Sequence, residues 1–258
     1  MATGLVAAPE GVEADAGQTR ARSRLPSWRF VVAASATILL AAAAALGGWW
    51  AASSGSRTEQ VIAFAEVQRI EVDVGSGNVE IVGGGLDEVD VQRTDRFAFD
   101  REPSEWRTQE NGVGRIVSRC PSLVLGTCAS DYRLTISDNV PIDVRVDRGT
   151  IDLRSYRGSA TLETGSGSVT VSGFCGFVLE ATTKQGNIDA ATACSPERLE
   201  LRSDTGDVTA SVPAGRYRVD ASATAGHVSV GGIEDDDAAP WEILALSNAG
   251  NVKVAGAR

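Results

Sequence analysis

The sequence predicts an all-β protein: a parallel β-solenoid with coils of about 20 residues, preceded by one transmembrane helix. Three observations predict it. The first is a repeated corner, in which a Gly is followed by a polar residue, a β-branched residue, a polar residue and a small or aliphatic one. It recurs at Gly77, Gly149, Gly167, Gly186, Gly206, Gly226 and Gly250, and from Gly149 the steps are 18, 19, 20, 20 and 24 residues. A fixed period of this kind marks a solenoid, whose units bury their apolar faces only against their neighbours. The second is strict alternation before each corner. Positions −7, −5 and −3 hold Ile70, Val72 and Val74; Ile142, Val144 and Val146; Leu179, Ala181 and Thr183; Leu199, Leu201 and Ser203; Val219, Ala221 and Ala223; and Ile243, Ala245 and Ser247. Alternation with polar residues between means strands with one buried face. The third is an uncharged, apolar run from Phe30 to Ala52.

From the N-terminus, residues 1–29 are rich in Ala, Gly and charge, poor in large apolar residues, and read as a disordered cytoplasmic tail. Residues 30–52 are long enough to span a bilayer. Arg20, Arg22, Arg24 and Arg29 precede the run and Trp49 and Trp50 end it. This places the N-terminus in the cytoplasm and the rest outside, with the lipid bilayer as the partner of residues 30–52. A cleaved signal peptide with a site near Ala51 to Ser54 is the alternative; the 29-residue leader and the long apolar run favour an anchor. Residues 53–65 read as a linker and 66–258 as one extracytoplasmic domain.

Within that domain each repeat is a strand, a Gly corner, a second strand and a loop home. Coils returning after about 20 residues stack their strands in parallel, roughly 4.8 Å apart. An antiparallel sandwich also repeats short strands, but it does not repeat one Gly corner in phase. Residues 83–140 break the period while keeping strand signals at Val89 and Val91, Phe97 and Phe99, Ile116 and Val117, and Tyr132, Leu134 and Ile136. They read as irregular coils or a small sheet covering one end of the stack, since an open end leaves strands unpaired. Trp106 and the Phe97/Phe99 pair are the candidates there for a binding surface.

Beyond residue 52 acidic residues outnumber basic ones 31 to 20, which disfavours nucleic acid as a partner. All four Cys lie in this part, and an even number in an oxidising compartment suggests disulfides. Cys175 and Cys194 each lie eight residues past a corner Gly, so stacking brings them into register, and Cys120 and Cys128 form the other pair. Metal binding is the rival reading, but there is one His and no paired CxxC motif.

The corners Thr164-Gly165-Ser166-Gly167-Ser168-Val169 and Asp204-Thr205-Gly206-Asp207-Val208 carry a resemblance. So does the run from Cys120 and Cys128 through Asp131-Tyr132-Arg133-Leu134-Thr135-Ile136 to Val140-Pro141-Ile142. Residues 66–254 resemble the bacterial β-strand-repeat family of unknown function labelled "putative adhesin", whose membrane-anchored members have the same layout. The resemblance implies the fold and supplies no active-site residues.

Other constellations point less far. Stacked in chain order, Glu180, Glu200 and Asp220 form an outward acidic column like that of some solenoid lyases and hydrolases, beside Arg198, Arg202 and Arg218; a solvated charge ladder is the commoner meaning. Glu234-Asp235-Asp236-Asp237 could hold calcium, yet its spacing matches no calcium motif. His227, the one His, stands at a corner where others carry Asn, Asp, Ser or Thr, and no nucleophile motif accompanies it. No phosphate loop or dinucleotide fingerprint is present. The expectation is a membrane-anchored bacterial surface protein with no catalytic, metal or cofactor site, in an adhesion-like or scaffolding role toward cell-wall carbohydrate or surface protein. The alternatives are an accessory or sensor in envelope-stress signalling and, third, a carbohydrate-active enzyme.

Overall fold

The computed structural model describes residues 28–84, 88–122 and 126–257. The expected disordered tail lies outside them except for Trp28 and Arg29, and so do Arg20, Arg22 and Arg24. The chain forms two compact units, Met1–Gly47 and Gly48–Arg258. Helix α1 (Trp28–Ser53) is 26 residues long, so it rises ~39 Å at about 1.5 Å per residue. It is long and apolar enough to cross a membrane, as an anchor or as a signal sequence.

The strands build two ten-stranded sheets. One holds β1 (Gly55–Ala65), β3 (Val79–Gly83), β4 (Glu88–Phe97), β7 (Cys128–Ile136), β9 (Ile151–Arg154), β11 (Val169–Phe174), β13 (Ile188–Thr192), β15 (Val208–Pro213), β17 (Val228–Gly231) and β20 (Val252–Ala257). The other holds β2 (Arg69–Val74), β5 (Ser104–Glu110), β6 (Val113–Arg119), β8 (Ile142–Arg148), β10 (Ala160–Ser166), β12 (Val178–Gln185), β14 (Arg198–Thr205), β16 (Arg216–Ala225), β18 (Glu234–Asp235) and β19 (Glu242–Ala249). Each coil runs up one sheet, turns at its corner Gly and runs down the other. Inward residues such as Leu179, Ala181, Ile188 and Ala190 are buried, as the alternation predicts. Tyr156, Phe174 and Tyr217 fill the side where the loops return, and each is fully buried.

The corner is where coils meet most closely. Gly186 has φ +150°, and a Cβ there would overlap the backbone carbonyl oxygen of Gly167. The same backbone contact runs along the stack from Ser130 to Gly77, Gly149, Gly167, Gly186, Gly206, Gly250 and Gly226. No side chain fits between these carbonyls, so the corner must be Gly. Two side-chain ladders flank it. At four corners the residue after the Gly accepts a backbone N–H from the adjacent coil through its Oδ1: Asn78 from Thr150 at 3.0 Å, Asn187 from Asp207 at 2.9 Å, Asp207 from Asn251 at 2.7 Å, and Asn251 from His227 at 3.0 Å. On the inner side Thr164, Thr183, Ser203 and Ser247 donate to the carbonyls of Gly149, Gly167, Gly186 and Gly206.

At both ends the spatial order departs from chain order. The coil of β19 and β20 lies between the coil of β14 and β15 and that of β16 and β17. The reason is visible in the ladders. Ser247 donates to the Gly206 carbonyl on one side, and Asn251 accepts from the His227 N–H on the other, so this coil is bonded on both faces. Ala223 and His227, their counterparts, suit an end coil, where Val228 and Val230 remain exposed. The 24-residue step allows the chain to come back.

Residues 83–140 are more regular than the broken period suggests. Strands β6 and β7 form a further parallel coil outside β2 and β3. Its turn is bracketed by Cys120 and Cys128, whose Cα atoms are 6.0 Å apart. Strands β4 and β5 then add antiparallel edges. Residues 53–65, expected as a linker, are mostly β1, which pairs antiparallel with β4 and ends the first sheet. Its alternation is too weak to mark it as a strand, because it is an edge with only one neighbour. Cys175 and Cys194 lie on adjacent coils with Cα atoms 4.7 Å apart. A bond closing that loop contributes ~3 kcal/mol by loop entropy.

The corner contact predicts a sharp contrast between glycines. Gly186→Ala should destabilise the domain by about 3 kcal/mol or more in urea unfolding. Gly231→Ala, where an added Cβ meets nothing, should cost less than about 1 kcal/mol. Equal effects at the two positions would contradict the corner account.

Candidate functional site

The acidic column foreseen along one face is not continuous. Glu180 and Glu200 are register neighbours, but Glu200 is followed by Leu244 and only then by Asp220. Inserting the last coil separates them. Glu200 is also neutralised: Arg198 Nη2 reaches it at 2.5 Å and Arg202 Nε at 2.6 Å. Similar pairs cover the same face, including Arg115–Glu71, Arg145–Glu163 and Arg218–Glu242. On the opposite face Arg133 and Arg154 both reach Glu80. Outward positions on parallel strands lie about 4.8 Å apart, so opposite charges there pair across coils.

The other candidates take structural places. Glu234 and Asp235 form β18 beside the start of β16. Asp235 accepts from the Val219 N–H at 3.1 Å, and Asp236 pairs with Arg216 at 3.0 Å. Among the described residues, no three His, Cys, Asp or Glu side chains converge as metal ligands. His227 uses its backbone N–H on Asn251 and ends the corner ladder. Phe99 packs edge-on against Trp49, centroids 5.3 Å apart, while Trp106 is 56% exposed on the outermost strand β5.

One cluster has no counterpart in the sequence reading. At the covered end, Arg93 reaches Asp95 at 2.6 Å and Glu105 at 3.0 Å, and Arg107 also pairs with Glu105. Tyr132 donates to Glu105 at 2.7 Å, Ser130 to Asp95 at 2.7 Å and Ser118 to Ser130 at 3.0 Å. These groups are largely buried, and two guanidiniums balance two carboxylates. Burial pushes the Tyr132 phenol well above its ordinary range. Burial opposes the Arg93 charge, but the hydrogen bond to Asp95 and the neighbouring Tyr132, Glu105 and Asp95 charges together outweigh it and keep the group protonated. With its hydrogen bonds made internally, the cluster fastens β4 and β5 onto the coil of β6 and β7. The signal was available: Val89 and Val91 continue by twos to Arg93 and Asp95.

Glu200 gives a pH test. Burial pushes its carboxyl up, but the hydrogen bonds from Arg202 and Arg198 more than reverse this and hold it below its ordinary value of 4.5. A lowered folded value contributes stability that is present above the unfolded value and lost as pH falls through the folded one. Acid unfolding below about pH 5 should therefore be less steep in Glu200→Gln than in the native chain. At neutral pH the substitution should cost no more than about 1 kcal/mol. Identical pH profiles would show that the Arg198–Glu200–Arg202 contact does not persist in solution.

Comparison with known proteins agrees with this architecture. The family model described as Toastrack DUF4097 matches residues 132–254. No curated protein matches the chain. Among solved structures the chain is similar to a putative cell adhesion protein from Clostridium sporogenes ATCC 15579. That similarity has 13% identity and a TM-score of 0.48, and it covers 79% of this chain and all of the other. It is also similar to a putative adhesin from Bacteroides fragilis NCTC 9343, with 12% identity and a TM-score of 0.48 over 78% of this chain and 97% of the other. Over residues 132–254, from β7 into β20, the chain is thus similar to the Toastrack DUF4097 family.

Proposed function

We propose that the protein is a membrane-anchored, non-enzymatic display or scaffolding module, holding a rigid β-solenoid outside the cell membrane toward wall carbohydrate or surface protein. One observation carries the reading. Many outward arginines of the stack are held by carboxylates, across coils in Arg115–Glu71, Arg133–Glu80 and Arg145–Glu163 and along one strand in Arg198–Glu200–Arg202. A catalytic carboxylate needs an environment that sets it apart from its partner; Glu200 instead sits between two arginines. The extended faces and strand edges of a solenoid suit a broad contact better than a single buried substrate. The anchor is supported by the length and composition of α1, and by Trp49 and Trp50 at its end.

The test is a pull-down with the full chain in neutral detergent against wall fractions of its host. Retention without release of sugars or peptides is the expected result. Turnover of wall material that survives in Glu200→Gln but is lost in some other variant would replace this reading with an enzyme. The same preparation should begin upstream of Phe30 by N-terminal sequencing; a start near Ala52 or Ser53 would remove the anchor.

A further inference from the structure

The domain is strongly acidic, yet one cleft beside the Cys120–Cys128 bracket is lined by cations. It has a volume of about 480 Å³, and its walls include Ser76, Arg96, Gly126, Thr127, Cys128 and Arg148, with no carboxylate among its lining residues. Arg148 also lines the neighbouring cleft of about 610 Å³, together with Arg119 and Asp147. The three arginines differ in what they already hold. Arg119 is committed to Asp73, through both its carboxylate and its carbonyl. Arg96 holds Asp131 through Nη2 at 2.8 Å and is about half exposed. Among the described residues Arg148 has no carboxylate within ion-pair distance, in a face where most arginines do. It sits one residue before the corner Gly149, at a position where the neighbouring coils carry Ser76 and Ser166.

We infer that this cleft binds the phosphate group of an anionic phosphodiester, with Arg148 as the principal ligand and Arg96 as the second. A guanidinium presents paired N–H donors that match a phosphate oxygen pair, and two of them around one opening favour a doubly contacted anion. Ser76 and Thr127 add hydroxyls to the same walls. The position of the cleft narrows the source. A Cβ on Gly126 would lie 3.6 Å from Trp50 Nε1 and 3.7 Å from the Phe99 ring. The cleft is therefore next to the Trp pair that the anchor reading places at the membrane surface. Phosphodiesters occur there in acidic lipid headgroups and in wall polymers, and the cleft chemistry is the same for both. The lipid source rests on the anchor reading; phosphate binding itself does not.

Native mass spectrometry of the full chain in neutral detergent separates these. In one arm the chain is mixed with equimolar phosphatidylglycerol and phosphatidylcholine. In the other it is mixed with a soluble glycerol-phosphate oligomer. One bound ligand per chain is expected in at least one arm, reduced about tenfold in affinity by Arg148→Gln. Arg157→Gln removes the same charge at an exposed site lining neither cleft and should change affinity less than about twofold. Selective retention of phosphatidylglycerol assigns the lipid source; retention of the oligomer alone assigns the wall polymer and leaves phosphate binding standing if the anchor fails. No retention in either arm, or equal loss in Arg148→Gln and Arg157→Gln with unchanged thermal unfolding, would overturn the inference.

Discussion

The structure depends on a contact that leaves no room for a side chain. At each corner the place where a Cβ would stand is filled by the carbonyl oxygen of the neighbouring coil's corner residue, a Gly everywhere except Ser130 opposite Gly77. That closeness sets the spacing of the whole stack, because strands on both sides of a corner must then lie one parallel-strand spacing from their neighbours. It also explains why the period is soft and the corner is not. Steps of 18 to 24 residues all work, since the loop home absorbs the difference, whereas the Gly and its two flanking positions recur in phase.

The ladders turn spacing into order. Small inward residues specify register weakly. A hydroxyl bound to one carbonyl and an amide bound to one N–H on the next coil specify it strongly, because a slipped coil would leave both groups unmet. These groups also distinguish the coil of β19 and β20 from that of β16 and β17. The C-terminal coil carries both a ladder hydroxyl and a ladder amide and takes an interior place; the coil made before it has Ala223 and His227 at those positions and is left at the edge. The two ends then differ in kind. One is closed by antiparallel strands fastened through the Arg93, Asp95, Glu105 and Tyr132 cluster. The other exposes Val228 and Val230 on its final coil.

Much of this was legible in the sequence. Corners and alternation predicted the two-sided coil and which residues point inward, because both are local consequences of strand geometry. Coil order was not legible: the period carries no label saying which coil is the neighbour, and chain order was the natural assumption. That assumption joined Asp220 to Glu200, which the structure separates by Leu244. The end coil of β6 and β7 was hidden because Ser130 stands where other coils have Gly; as the outermost coil of the parallel stack it needs no such close approach on its far side. Strand β1 was hidden as an edge. The buried charge cluster is hidden because charged residues ordinarily mark an outward position, yet the inward period of Val89 and Val91 continues into Arg93 and Asp95.

For function, a stack in which many face arginines are held by carboxylates leaves its ends, edges and unpaired charges as the surfaces open to other molecules, and Arg148 is the cation among them that lines a cleft. All of it rests on coil order. The most direct measurement is cross-linking between engineered cysteines on outward positions, in a background where the four native Cys remain paired. Thr209 and Lys253 are register partners in the structure, so Thr209→Cys with Lys253→Cys should form a disulfide under mild oxidation. Thr209→Cys with Ser229→Cys, which stacking in chain order would bring together, should remain reduced because Lys253 lies between. Oxidation of the second pair and not the first would contradict the inserted coil and with it the ladder account.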